Sequence, residues 1–443
     1  LYIFIAFVVV MRAQSGMLPS ATAAIVIGVL PICAFLAYRY PMIFPFGLYV
    51  ALVPFDSLLA VSGGATVARL VAAATAVTMI LHAIVVRRAI VPARGWYFWG
   101  AMVSYISVSL LWTSDPYGGR EVTSAVVQLF LLMTVFAMYP ATKTEFKIGI
   151  ALFVPCGVLS AGYAVHQYLS GAISSDVGSR VELTSSGGVM LDYNYYAASF
   201  ILPIAIALWF TFYGRHVLPR LASGACALFM LVGLLLTGSR GAFIASVAIV
   251  VYFAIRSRFR AQIFAFVLLA GALSVFFPSV YTRFLNDPTQ QGSASGRTYI
   301  WQTGLHSLGD HWLFGNGIGS YENTYDSNLL EVYQAHFQGW SRPSHNLLVG
   351  AITELGVVGL AIVLAAWYVS FRQLKKIPKS SEFFGLRLAL EGAIVGLFAM
   401  ALSIDTMYIK YIWLAHSLAL MLLGQVAPRR IALSQTAPAP LRE

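Results

Sequence analysis

Long apolar runs recur along the chain, each closed by charged residues, prolines or glycines. At about 17–25 residues they fit α-helices crossing a bilayer, not the alternating ten-residue strands of an outer-membrane barrel. The pattern predicts twelve spans, at 41–61, 65–86, 96–112, 121–139, 146–170, 193–213, 217–237, 241–256, 260–277, 345–372, 383–402 and 405–425. Residues 1–11 and 19–38 form a candidate extra hairpin, so the expected total is 12–14; Leu1–Met11 lacks a basic n-region and does not read as a signal peptide. The run 241–256 is the shortest of the twelve, and removing it would break the alternation of charge described below. One long polar stretch, 278–344, and a shorter one, Gly171–Asp192, interrupt the spans. The expected organisation is a transmembrane bundle over 1–277 (loop 171–192 contributing to the site), a polar loop over 278–344, C-terminal spans over 345–426 and a disordered tail over 427–443.

Composition narrows the class. Of 443 residues 59% are apolar and 10% charged, with mean hydropathy +0.78. A soluble domain carries about 25% charged residues, and disordered chains are polar and highly charged, so the sequence describes an all-α polytopic membrane protein. Cys33, Cys156 and Cys226 all lie in apolar runs and form neither a disulfide framework nor a metal site.

Charge then sets orientation. Walking the connections places 19 of the 28 lysines and arginines on one side, among them Arg87, Arg88, Lys143, Lys147, Lys375 and Lys376. The positive-inside rule makes that side cytoplasmic, with both termini. The net charge of +11 is therefore mostly an orientation feature and does not argue for nucleic acid. The opposite face, which includes 278–344, holds eight arginines and a single lysine, Lys410.

That arginine bias bears on chemistry. A guanidinium grips phosphate oxygens in a defined bidentate geometry, whereas an ammonium is a point charge. Arg180, Arg240, Arg297 and Arg342 stand where spans meet outer loops. Each either snorkels or pairs with a carboxylate such as Glu182 or Asp192, or converges with the others on an anionic, lipid-linked ligand. His345 opens a span in Ser-Arg-Pro-Ser-His-Asn-Leu-Leu (341–348), where Ser344 is expected to cap the helix and His345 to sit in its first turn. The helix dipole disfavours a charged imidazole there, and a neutral imidazole is a competent general base near neutral pH; a histidine merely hydrogen-bonded at the interface is the alternative. The same helix end could hold an anion on its N–H groups. Nine residues at about 100° each put Glu354 on the opposite side of the helix from His345, leaving Glu322, Asp326 and Glu331 as candidate carboxylate partners. His306, His311 and His336 show no metal-type spacing, and no metal is expected.

In Arg297–Trp312, Ile300, Trp301, Leu305, Leu308 and Trp312 recur at helical spacing. The stretch reads as an amphipathic helix on the membrane surface with tryptophans at headgroup level, or as a helix packed on the spans. Gly-Asn-Gly-Ile-Gly (315–319) follows no strand and fails as a nucleotide loop; it reads as a turn allowing close backbone approach.

Taken in order, Thr-Gly-Ser-Arg-Gly-Ala (237–242), Gly-Arg…Trp (296–301), Gly-Asn-Gly-Ile-Gly (315–319), Ser-His-Asn-Leu-Leu (344–348) and Glu-Leu-Gly-Val-Val-Gly (354–359) resemble the O-antigen ligase/polymerase superfamily over about 220–360. Upstream, Arg180 and Asp192–Ala198 look like the family's arginine and asparagine-bearing span start. The resemblance implies a GT-C-like glycosyltransferase of the bacterial inner membrane with a periplasmic site and no cofactor. It would move polysaccharide from undecaprenyl diphosphate to a sugar hydroxyl of the lipid A core. Its partners are that donor, that acceptor and membrane lipids, with no nucleic acid. Carried over by motif, His345 deprotonates the acceptor, Arg240 and Arg297 hold the diphosphate with Arg180 as a third, and Asn194, Trp301, Arg342 and Asn346 line the substrate. An O-antigen polymerase or a protein O-oligosaccharyltransferase would use the same donor. A polyprenyl-lipid or anion transporter would also want outward arginines, but should show internal pseudo-symmetry, which is not visible in this sequence.

Overall fold

A computed structural model describes residues 31–56, 58–59, 66–170, 183–184, 190–191, 193–274, 297–332, 342–404, 407–426 and 430–432. The expected hairpin before residue 31, Arg180, His336 and the tail beyond residue 432 lie outside the described residues. The helices are α1 (31–39), α2 (Phe46–Leu52), α3 (Val67–Val85), α4 (Gly95–Ser109), α5 (Pro116–Met138), α6 (Lys143–Ala151), α7 (Phe153–Leu169), α8 (Tyr193–Ala198), α9 (Ile201–Tyr213), α10 (Val217–Leu236), α11 (Arg240–Arg256), α12 (Arg260–Ser274), α13 (Arg297–His306), α14 (Tyr321–Val332), α15 (Leu347–Leu374), α16 (Phe384–Ala401) and α17 (Lys410–Val426).

Among the described residues, seven helical stretches are long and apolar enough to cross a membrane. The other expected spans are helices of 17 residues or fewer, such as Arg240–Arg256 and Lys410–Val426. The expected 41–61 span is instead a buried α2 followed by a 3-10 turn at Val53–Phe55. Pro54, which cannot donate a backbone hydrogen bond, ends the regular helix there. The same chemistry splits two other spans. Pro155 cannot donate to Ala151, where α6 gives way to α7, and Pro203 cannot donate to Ser199, where α8 gives way to α9. Helix α5 starts five residues earlier than expected. Asp115 caps it, accepting from Tyr117 N (3.1 Å) and Gly118 N (3.0 Å), and Pro116 takes the first helical position.

Helix α9 lies at the centre, with Ile201 to Leu208 essentially inaccessible; it packs against α7, α10 and α16, while α11 runs along α16. A second group packs α15 on α4 and α17 on α5. By contrast α3 exposes Leu70, Val77, Ile80, Leu81, Ile84 and Val85. A water-soluble surface does not carry an apolar area of that extent. Lys143 and Lys147 both pair with Glu382 (2.8 and 2.6 Å), whose carboxyl they hold down at about 2. A short antiparallel ladder joins Arg88–Ile90 to Arg430–Ala432, so this part of the expected disordered tail is ordered.

Small residues set a close helix contact. A Cβ on Gly233 of α10 would lie 2.9 Å from Ala161 Cα of α7, a backbone approach that only glycine permits. Gly233→Val should therefore destabilise the fold by about 1–3 kcal/mol, read as a lower melting temperature of the detergent-solubilised protein. An unchanged melting temperature would show that the helix pair can part without cost.

Candidate functional site

The site is built where three turns of chain meet. The first is Thr237–Ala242. Helix α10 ends, Gly238 takes φ 63°, and Ser239 caps α11 by accepting from Ala242 N (3.3 Å). The Ser239 hydroxyl donates to Asn194 Oδ1 (2.6 Å), and both side chains are buried. Arg240 is thereby the first residue of α11, with its side chain exposed. A cation at a helix N-terminus is disfavoured by the dipole, so guanidinium and helix end together make a strong attractor for an anion.

The second turn holds His345, and here the structure corrects the sequence. The cap of α15 is Asn346, not Ser344: its Oδ1 accepts from Leu348 N (2.9 Å) and Val349 N (3.2 Å). His345 therefore precedes the cap instead of occupying the first turn. It is half-buried and has φ 48°, a left-handed conformation that costs a residue with a Cβ about 1–2 kcal/mol. Ser344 stabilises the turn, accepting from Asn346 N (3.3 Å) and donating to Asn346 O (3.1 Å). The Asn346 amide also donates to Leu402 O (3.0 Å), which braces the cap against the connection after α16. Two N–H groups of this helix end are thus occupied by Asn346, which weakens the expectation that it holds an anion. The Asn346 side chain, expected at substrate, makes these three bonds.

The third piece is α13. Trp301 Nε1 donates to Ser344 O (2.9 Å), fixing the carbonyl just before His345. Ile300 of the same helix joins Tyr321, Tyr325 and Leu329 in a small separate core against which Trp301 and Val349 pack. Of the two readings of Arg297–Trp312, packing holds for this helix: Trp301 faces the protein. Trp312 stands exposed beyond it, in the loop whose Phe314 meets Trp112 at 6.3 Å. Arg297 opens α13, half-buried, one turn before Trp301. Arg342 lies close enough to Tyr325 to oppose the burial that pushes this phenol up.

The glycine-rich turn is what locks α13 and α14 onto α15. Gly356 breaks α15 (φ 67°, ψ −172°), and the freed backbone groups are taken up by the turn. Asn316 N donates to Thr353 O (2.9 Å) and Gly317 N to Glu354 O (2.8 Å), while Val357 N and Val358 N donate to Trp312 O (3.0 Å) and Leu313 O (3.2 Å). Tyr105 Oη closes the last carbonyl, donating to Leu355 O (3.0 Å). Gly315, Gly317 and Gly319 all have positive φ, at 73°, 91° and 74°. The turn also takes Thr113 Oγ1 on Ile318 O (2.8 Å), so the α4–α5 connection belongs to the same assembly. Glu354 accepts from Tyr321 N (3.1 Å) at the start of α14. Of the candidate carboxylates, Glu331 pairs with His306 (3.4 Å), while burial, Asp326 and Asp115 push the Glu322 carboxyl up. Among the described residues no group of three or more His, Cys, Asp or Glu is placed to hold a metal ion.

The structure thus ties Asn194, Arg240, His345, Asn346 and Trp301 into one framework, with Arg297 on the helix that carries Trp301. Sequence reasoning missed the piece that joins them, the connection between α16 and α17. Leu402 binds Asn346, and Gly241 lies so close to Ser403 that a Cβ there would collide with its hydroxyl. One pointer was present in the sequence: Lys410, expected as the lone lysine of the outer face, ends this connection.

Helices long and apolar enough to cross a membrane, several of them exposing apolar residues to their surroundings, define a multi-pass α-helical membrane protein. Residues 225–364, which contain Arg240, Arg297, the glycine-rich turn and His345, match the family described as O-antigen ligase. The match supports membership of the O-antigen ligase superfamily, and with it a ligase- or polymerase-type, glycosyltransferase-like role in O-antigen processing. No curated protein matches the chain.

Proposed function

We propose that this protein is an O-antigen ligase of the bacterial inner membrane, acting at a periplasmic site with GT-C-like, metal-independent, inverting chemistry. The donor is polysaccharide on undecaprenyl diphosphate and the acceptor a sugar hydroxyl of the lipid A core. The observation that carries the reading is the tie between the His345 turn and the Arg240 turn through Asn346, Leu402 and Ser403. It supports a base and a cationic helix end acting on one substrate.

In this reaction His345 takes the proton of the acceptor hydroxyl as its oxygen attacks the anomeric carbon. The bond from that carbon to the phosphate oxygen breaks, and its electron pair stays on the departing undecaprenyl diphosphate. Negative charge grows on the leaving group, so Arg240 at the start of α11 and Arg297 at the start of α13 bind the transition state more tightly than the ground state. Arg180 is proposed as a third contact. Arg342, Trp301 and Asn194 frame the site, Trp301 through Ser344 and Asn194 through Ser239.

The deciding experiment supplies purified protein in vesicles with undecaprenyl-diphosphate glycan and, separately, lipid A core, free glycan and a protein acceptor. Transfer to lipid A core is expected. Transfer to the glycan alone would make it a polymerase, and transfer to protein an O-oligosaccharyltransferase. Arg240→Ala should lower the transfer rate about 10²–10³-fold; an unchanged rate would remove Arg240 from the diphosphate.

A further inference from the structure

The connection between α16 and α17 touches the His345 turn and the Arg240 turn and is anchored at its far end by an ion pair. Leu402 O accepts from Asn346 Nδ2 (3.0 Å), next to His345. Ser403 abuts Gly241, next to Arg240. The Tyr408 and Tyr195 hydroxyls bond each other (3.3 Å), one residue from Asn194. Lys410 then pairs with Asp56, at the end of the 3-10 turn after α2. Asp56 is itself held, accepting from Thr66 Oγ1 (2.5 Å), and Thr66 caps α3 through Arg69 N (3.2 Å).

The described contacts lead from the cap of α3 through Thr66, Asp56 and Lys410 to α17, and from Leu402 and Ser403 to the turns that carry His345 and Arg240. We infer that Lys410 and Asp56 are positioning residues for the transfer reaction: their ion pair fixes the 402–410 connection, which in turn sets the Asn346 cap and the Gly241 turn in register. The inference rests on the transferase reading above. Neither residue needs to touch substrate. The half-buried pair gives up much of its hydration, with 17% and 28% of the two side chains exposed, and so is a poor choice for stability alone, since an apolar pair of similar volume is often as stable. It does supply direction. A salt bridge admits few geometries, whereas apolar contacts slide, and a displacement of about 1 Å at a reacting group can cost on the order of 10²-fold in rate.

The test uses the full chain in vesicles. In Lys410→Met, kcat is expected to fall about 10–100-fold with donor KM within about twofold. Lys410→Arg, which keeps the charge, should restore most of kcat. Asp56→Asn combined with Lys410→Met should be little worse than either alone, because both remove one interaction. Hydrogen exchange supplies a readout free of activity: in Lys410→Met, peptide 344–350 should exchange faster along with 402–410. Loosening confined to 402–410 with normal kcat would reduce the pair to a local tether and overturn the inference. A rise in donor KM with unchanged kcat would overturn it differently, placing Lys410 on the substrate. Should the wild-type protein transfer glycan to no acceptor, the ligase reading fails, while exchange at 344–350 still decides whether the pair holds the turn. If Lys410→Met does not fold, Asp56→Asn, which removes the charge and keeps the volume, takes its place against Asp56→Glu with the same two readouts.

Discussion

His345→Asn is expected to give a folded protein whose transfer rate has dropped by about 10²–10⁴-fold, the range for loss of a general base. Asparagine is the informative replacement because it tolerates the left-handed conformation that His345 adopts at φ 48°. The turn, the Asn346 cap and the bond from Trp301 to Ser344 should all survive, so lost activity reports the imidazole and not a displaced backbone. Donor KM should change little, since the arginines stay in place. His345→Gly sharpens the point. Glycine relieves about 1–2 kcal/mol of backbone strain but adds freedom to the unfolded chain, so stability should rise by up to about 1 kcal/mol while activity stays lost. Strain held at a residue and released only with loss of function is what a chemical role predicts. Near-normal turnover of His345→Asn in the reconstituted assay would instead move the proton acceptor elsewhere.

The second large effect is on folding. Gly317→Ala and Gly356→Ala should each destabilise the protein by about 2–5 kcal/mol, combining a left-handed alanine with overpacking. A Cβ on Gly317 would fall on the Thr113 backbone, and one on Gly356 on the Leu313 carbonyl. Neither neighbour can rotate away, because main-chain atoms make the contact. Against a total stability of about 5–15 kcal/mol, most molecules carrying either change should unfold at reduced temperature and reach the membrane in low yield. Gly162 in α7 is the control: a Cβ there meets nothing within 4 Å, so Gly162→Ala should leave melting unchanged or slightly raised. Equal behaviour of all three variants would mean that the glycine-rich turn does not clamp α15.

Much of the helical layout was legible. The runs at 65–86, 217–237 and 383–402 appear as Val67–Val85, Val217–Leu236 and Phe384–Ala401, because an apolar stretch in lipid must satisfy its backbone internally. The breaks were less so. Pro54, Pro155 and Pro203 stand in plain view, yet a hydropathy pattern runs straight across them, and the prolines act through donors they lack and not through polarity. The glycine-rich turn was read as a close approach; the sequence could not say to what. Its partner is a break at Gly356, 37 residues further along than Gly319, visible only once both backbones exist.

The sequence by itself determined that this is a helical membrane protein and which motifs resemble an O-antigen ligase. Those features depend on composition and on neighbours along the chain. Tertiary structure decided that Asn346 and not Ser344 caps α15, that His345 sits in a left-handed turn before that cap, and that Leu402 and Ser403 join it to Arg240. Ser344 and Asn346 have similar capping propensities. The cap that forms is braced by a carbonyl 56 residues away, a partner that no local pattern contains.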